Sequence, residues 1–262
     1  MKGLPNVQTA IIGVLSLLTM VFNTMFWFVP LILCALAKLV IPIQAWRRLC
    51  TKGAIWCAEN WISVNSFMID RLLPLRWHVQ GVDDLRYDAY YLVISNHQSW
   101  ADIAVLQYVF NRRIPFLKFF LKQELIWVPL LGLCWWGLDY PFMKRYSRAQ
   151  IEKRPSLRGK DLETTRKAVE KFRLTPVSVI NFLEGTRITP ERKAEQNAPY
   201  KLLLKPKAGG IGFVLGAMGD QIQTMLDVTI AYPEGIPTAW AFLSGQVEDV
   251  VVHVRTRTIP EE

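Results

Sequence analysis

With 262 residues, half of them hydrophobic and ten of them tryptophan, the chain carries more apolar surface than one soluble domain needs, and a membrane share is implied. Nothing resembling an interior linker divides it, so it reads as one domain plus an attachment. Its cysteines, Cys34, Cys50, Cys57 and Cys134, form no C-x-x-C pair, and its histidines are His78, His97 and His253, which argues against a zinc site or a disulfide framework and fits a reducing compartment.

From Ala10 to Val40 the only strongly polar side chains are Asn23 and Lys38, a run longer than the ~20 residues that span a bilayer. Pro30 divides it into Thr9–Val29 and Leu31–Ile43, which permits one kinked span or a shallow re-entrant hairpin. Ala35-Leu36-Ala37 imitates a signal-peptide cleavage site, but the apolar region is too long and Lys2 is the only charged side chain ahead of it. Arg47, Arg48 and Lys52 follow the run, and basic residues on that side place the rest of the chain at the cytoplasmic face, of the inner membrane in a bacterium. Gly53–Leu73 reads as a helix, either along the membrane or in the core. Residues 1–74 thus form a membrane-anchoring helical segment ahead of a domain at 75–262.

The apolar run Tyr90–Ile94 reads as a strand, and the stretch Ser95-Asn96-His97-Gln98-Ser99-Trp100-Ala101-Asp102 follows it into a helix over Trp100–Phe110. An imidazole whose second nitrogen reaches a carboxylate is a general base with a fixed tautomer. Residues five apart on one helix point about 140° from each other, so His97 belongs in the loop and Asp102 in the first helical turn. A simpler reading makes Ser99 the N-cap and Asp102 a favourable carboxylate at the positive helix end. Further on, Leu125–Leu138 is aromatic-rich but broken by Pro129, Gly132 and Gly137, a poor transmembrane helix suited to headgroup depth, an acyl-chain groove or buried core. The window Lys144–Arg173 holds eleven Lys/Arg against four acidic residues. Beside a hydrophobic anchor, such a basic stretch points to anionic lipid headgroups rather than nucleic acid.

Val177–Phe182 is β-branched and short enough for a buried strand, and Leu183-Glu184-Gly185-Thr186-Arg187 follows at once. Helices at Trp100–Phe110 and Asp161–Leu174 separate the two strands, so the fold class is α/β: a mixed, partly parallel sheet flanked by helices, with an N-terminal membrane-associated helical segment. If the two strands are parallel, both loops leave the carboxyl edge, where open α/β sheets bind ligands. Gly185 permits close backbone approach, and Arg187 offers a planar fork suited to phosphate. Alternatively, Glu184 and Arg187 are a structural pair closing a turn.

Asn96-His97-x4-Asp102, followed some eighty residues later by Glu184-Gly185-Thr186-Arg187, resembles the glycerolipid acyltransferases typified by lysophosphatidate acyltransferase. The blocks Leu121–Leu125, Tyr140–Arg145 and Pro206–Gly210 extend the resemblance from about Trp77 to the C-terminus. It implies that His97 removes the proton from a lysolipid hydroxyl attacking the thioester of acyl-CoA or acyl-carrier protein, and that Asp102 orients His97. It also implies Arg187 and Lys207 as the leading phosphate ligands, Lys122 and Arg145 as the next, and Glu184, Gly185 and Thr186 as residues shaping the pocket. Backbone amides near the helix start are the expected oxyanion donors. No cofactor or metal is implied; the partners are the phospholipid membrane, the lysophospholipid acceptor and the acyl donor, and no nucleic acid. Leu183 departs from the proline many members carry there, and Arg187-Ile188-Thr189 with Leu243-Ser244-Gly245 resembles the lysophospholipid-acyltransferase branch, which leaves the acceptor headgroup open. Two rival readings are a hydrolase using Ser95 or Ser99, which lacks a Gly-x-Ser-x-Gly elbow, and a non-catalytic membrane lipid-binding or scaffold protein.

Overall fold

The computed structural model describes residues 7–143, 172, 175–219 and 221–259. The apolar N-terminus forms one helix, α1 (Val7–Val40), of 34 residues, about 51 Å at 1.5 Å per residue. Pro30 lies inside α1 and does not end it, so neither a break nor a hairpin forms at that residue. The chain turns back only at Ile41-Pro42-Ile43, and α2 (Gln44–Leu72) returns along α1. Polar contacts sew the pair together: Asn23 donates to the Trp61 carbonyl at 2.9 Å and to Asn65 at 2.8 Å, Trp61 donates to Thr24, and Trp46 donates to the Ala37 carbonyl. Their order is antiparallel, with 37 beside 46 and 24 beside 61.

Among the described residues the main sheet has six strands, β1 (Arg76–Gln80), β2 (Tyr91–Ser95), β3 (Leu117–Phe119), β6 (Ser178–Phe182), β7 (Thr224–Ala231) and β8 (Asp249–Thr258), in the order β1-β8-β7-β2-β6-β3. β7, β2, β6 and β3 are parallel and β8 runs antiparallel to β7, so the sheet is mixed, as its alternation of strands and helices predicts. A separate ribbon pairs β4 (Leu121–Lys122) with β5 (Phe142–Met143). The register sets Ser95 opposite Phe182, so the loops after β2 and β6 emerge side by side.

All five residues of β2 are buried, which marks it as a central strand covered on both faces. Tyr91 and Val93 pack with Val105, Leu106, Val109 and Phe110 of α3 (Ala101–Phe110), while Leu92 and Ile94 meet Val214 and Met218 of α6 (Gly209–Met218) on the other face. Between these come α4 (Leu131–Gly137) and α5 (Pro190–Gln196), and α7 (Ala239–Leu243) follows β7. The 125–138 stretch is a 3-10 turn at Gln123–Trp127 followed by α4, and so it is no membrane span. The expected helix at Asp161–Leu174 lies, except for Phe172, outside the described residues, as does all of the basic window at 144–173 apart from Phe172.

The hairpin is seated on the domain at both ends. Met68, Ile69 and Leu73 join the core beneath the sheet, with Ile12 and Met20 packed against it. Leu31 of α1 clusters with Phe116, Leu138 and Tyr140, and Lys38 pairs with Asp139 at 2.5 Å. Near the start of α1, a Cβ at Gly13 would lie 2.7 Å from the Trp240 ring of α7. Gly13→Leu is therefore expected to lift α1 from α7 and cost about 1–3 kcal/mol by overpacking, read as a lower unfolding midpoint; an unchanged midpoint would show that this contact carries no stability.

Candidate active site

The His97 loop is built around one carboxylate. Asp102 is fully buried and accepts four donors: His97 Nδ1 at 2.9 Å, the amides of Gln98 and Ser99 at 2.6 and 2.8 Å, and the Tyr232 hydroxyl at 2.7 Å. An ionised carboxylate only accepts, so Nδ1 carries the ring proton and Nε2 is left as the basic nitrogen. Burial first, and the Asp102 charge second, push the Tyr232 hydroxyl far above the ordinary tyrosine range, which keeps it a donor.

The N-cap expected at Ser99 takes a different form. Helix α3 begins at Ala101 with Trp100 at the cap position and no side-chain cap there. The Ser99 hydroxyl accepts from the Ala101 amide at 3.1 Å, while Asp102 reaches back to the amides before the helix. Asp102 thus orients His97 and closes the turn at once. The same bonds narrow the expectation that amides near the helix start hold an oxyanion, because five of those amides already have partners. Those of Gln98 and Ser99 are spent on Asp102, His97 N donates to Glu184 at 3.1 Å, and the amides of Ala101 and Asp102 bond Ser99.

Two strands carry the site. From the β2 side, Asn96 exchanges two bonds with the Ile230 backbone of β7, at 2.8 and 2.9 Å, pinning the loop where it leaves the sheet. From the β6 side, Phe182 stacks on the His97 ring with centroids 3.9 Å apart. Glu184, 3% exposed, accepts from His97 N and, with its other oxygen, from Leu204 N at 2.8 Å. The His97 carbonyl in turn accepts from Ile188 N at 3.0 Å. The two loops are therefore cross-linked through backbone groups.

This geometry disposes of a Glu184–Arg187 pair: Glu184 is committed to amides, and the Arg187 guanidinium lies 4.3 Å from the centroid of Trp100. Gly185 has φ +66°, a left-handed conformation that favours glycine, and a Cβ there would touch the Lys207 chain at 3.3 Å. Lys207 N is held by the Leu183 carbonyl at 2.7 Å, so Arg187 and Lys207 both belong to the loop cluster beside His97. Thr186 lies half-buried within the same turn. Lys122 sits on the separate β4–β5 ribbon, and among the described residues no hydrogen bond joins its side chain to His97, Arg187 or Lys207. Arg145 lies outside the described residues.

A cavity of about 350 Å³ opens beside this cluster, between the hairpin, α3 and α7, with Trp61, Met68, Trp100, Ala104 and Phe242 in its wall. Trp100 is shared: it carries Arg187 and lines the cavity. Tyr232 and Trp100 are the functional side chains that sequence reasoning missed. Trp100 lay inside the quoted motif, whereas nothing marks a tyrosine 130 residues from Asp102.

A family model described as acyltransferase matches residues 76–232, more than half of the chain. The chain belongs to this family. Among curated relatives of this acyltransferase family member, 1-acyl-sn-glycerol-3-phosphate acyltransferase 3 of Arabidopsis thaliana is 27% identical over 65% of this chain and 46% of its own length. Lysocardiolipin acyltransferase 1 of Danio rerio is 30% identical over 32% of this chain and 25% of its own length. The chain thus spans from a quarter to about half of these relatives. The crystal structure of the 1-acyl-sn-glycerophosphate acyltransferase PlsC from Thermotoga maritima shares the fold, with a TM-score of 0.57 at 16% identity over 95% of this chain and 87% of that one. The resemblance to glycerolipid acyltransferases and the mixed α/β fold expected from the sequence both hold.

Tyr232→Phe removes the one donor on Asp102 Oδ1. The carboxylate is then anchored at Oδ2 alone, so His97 is held less firmly and kcat should fall while KM changes little. A buried oxygen left unsatisfied should also cost about 1–3 kcal/mol of stability. A lower unfolding midpoint with unchanged kcat would make Tyr232 structural only.

Proposed function

We propose that the chain is a membrane-attached O-acyltransferase that moves a fatty acyl group from acyl-CoA or acyl-carrier protein to the free hydroxyl of a lysophosphatidate or lysophospholipid. The observation that carries this reading is a histidine with its Nδ1 proton held by a buried carboxylate, cross-linked through backbone bonds to a loop that presents Arg187 and Lys207. A phosphate held by those cations fixes a lysolipid whose hydroxyl must meet His97 Nε2. As the hydroxyl oxygen bonds the thioester carbon, its proton passes to Nε2. The C–S bond then breaks and the leaving thiolate takes that proton. A thioester is already activated, so direct transfer needs no enzyme nucleophile.

The cavity behind Trp100 suits an acyl chain in size and lining. Attachment to the membrane is supported by the outer face of α1, where Phe22, Phe26, Val29, Leu33 and Val40 are exposed. We read residues 1–74 as the anchor and 75–262 as the acyltransferase domain. Elements of one domain touch α1 from Gly13 to Lys38, about 38 Å of helix, more than a hydrocarbon core of about 30 Å. Such a helix lies along one leaflet rather than across the bilayer. The basic residues after it favour the anionic cytoplasmic leaflet.

A lysolipid panel incubated with labelled acyl donor and read by mass tests the activity. His97→Ala should lower turnover by about 10²–10⁴-fold, and turnover equal to wild type would leave a lipid-binding or scaffold protein. The serine-hydrolase reading is disfavoured because the Ser95 and Ser99 hydroxyls are buried and donate to the Asn96 and Pro237 carbonyls at 3.0 and 2.6 Å. In the same assay Ser95→Ala/Ser99→Ala should retain transfer, and its loss together with an acyl-serine adduct in the wild type would favour the hydrolase. Arg187→Ala should raise KM for the phosphate-bearing acceptor about 10–100-fold, the loss of one charge-assisted contact, and raise that for the donor far less. Equal rises would refute the phosphate assignment.

A further inference from the structure

A second cationic pocket lies away from the catalytic crevice, where the tip of the α1–α2 hairpin meets the β3 edge of the sheet. Among the described residues its cavity, about 240 Å³, is lined by Lys38 of α1, Arg47, Arg48 and Thr51 of α2, Lys118 of β3, and Asp139, the one carboxylate. Asp139 is engaged by Lys38 at 2.5 Å. Among the described residues no carboxylate pairs with Arg47 or Arg48, which leaves their planar donor forks open to a phosphate.

The pocket is separate from the Arg187–Lys207 cluster. Successive residues of a strand point to opposite faces. Phe119 turns towards Phe182, which stacks on His97, and so Lys118 turns to the other face, where its ammonium lies 4.6 Å from the centroid of Phe172. The pocket's surroundings indicate where its ligand comes from. Leu39, Val40, Ile43 and Leu49, beside or between its basic residues, are each at least 60% exposed. Arginines flanked by such residues sit at the depth where hydrocarbon gives way to phosphate, and arginine takes phosphate oxygens bidentately.

We propose that this pocket binds the phosphate of an anionic phospholipid headgroup from the surrounding leaflet, as a docking site distinct from the substrate site. The proposal rests on the reading of the hairpin as lying in one leaflet. One seated headgroup would fix the rotation of the hairpin about its axis, which a smooth apolar face leaves free. The crevice on the far side of β3 would then meet the membrane at a constant angle.

The test is binding of the full chain to phosphatidylcholine vesicles with and without phosphatidylglycerol, at low and physiological ionic strength. Arg47→Ala/Arg48→Ala is compared with the charge-matched Lys52→Ala/Arg71→Ala, which removes two cations of α2 that do not line the pocket. The pocket variant should lose at least about tenfold in affinity for the anionic vesicles, keep its affinity for neutral ones and keep its unfolding midpoint, while the control loses clearly less. Equal losses for both variants would reduce the effect to diffuse attraction and overturn the site. A second arm adds inorganic phosphate or coenzyme A without vesicles. A rise in unfolding midpoint that is present in wild type and absent from the pocket variant would assign the pocket to a soluble phosphate and overturn the lipid assignment. If wild type binds neither vesicle, the membrane reading falls and the site with it, whereas neutral-vesicle binding without anionic preference sinks the site alone.

Discussion

Everything at the catalytic edge is arranged around a carboxylate that has been taken out of water. A buried ionised carboxyl is costly unless its lone pairs are filled, and Asp102, at the start of α3, fills its own with an imidazole, two amides and a phenol from two other segments of chain. That requirement ties the turn after β2, the start of α3 and the end of β7 into one unit. The imidazole is therefore held by a constraint that folding already imposes, and not by a contact reserved for chemistry. Cap and orienter, which look like competing roles for Asp102 in the sequence, are served by the same oxygens.

Much of this is legible in the sequence because it follows from local rules. The β-branched runs before His97 and Glu184 give two strands, and a parallel sheet puts their loops at one edge. What is not legible depends on contacts over long separations. Glu184 looks like half of an ion pair because Arg187 is three residues away, yet its carboxylate serves the amides of His97 and Leu204, from loops 87 and 20 residues distant. Tyr232 carries no signal because its partner is 130 residues back. Pro30 misleads for a physical reason: proline removes one helical bond, and a 34-residue helix braced by α2 tolerates that loss, so the chain reverses only at Pro42.

The hairpin's outer face is apolar along α1, while its inner face joins the core beneath the sheet through Met68, Ile69 and Leu73. Trp100 stands where hairpin and domain meet, with a guanidinium on its ring and the apolar cavity against its edge. One side chain thus separates the polar from the apolar end of the site.

The pairing of Ser95 with Phe182 across one ladder has a bearing on how such a site can vary. The separation of the loops that carry His97 and Arg187 is inherited from the spacing of adjacent strands, about 4.8 Å, a length set by backbone hydrogen bonds and nearly indifferent to side-chain volume. Substitutions around the cavity can therefore resize it while the separation of the two loops stays constant. Cavity size and loop separation are set by different means, the first by side chains and the second by the backbone.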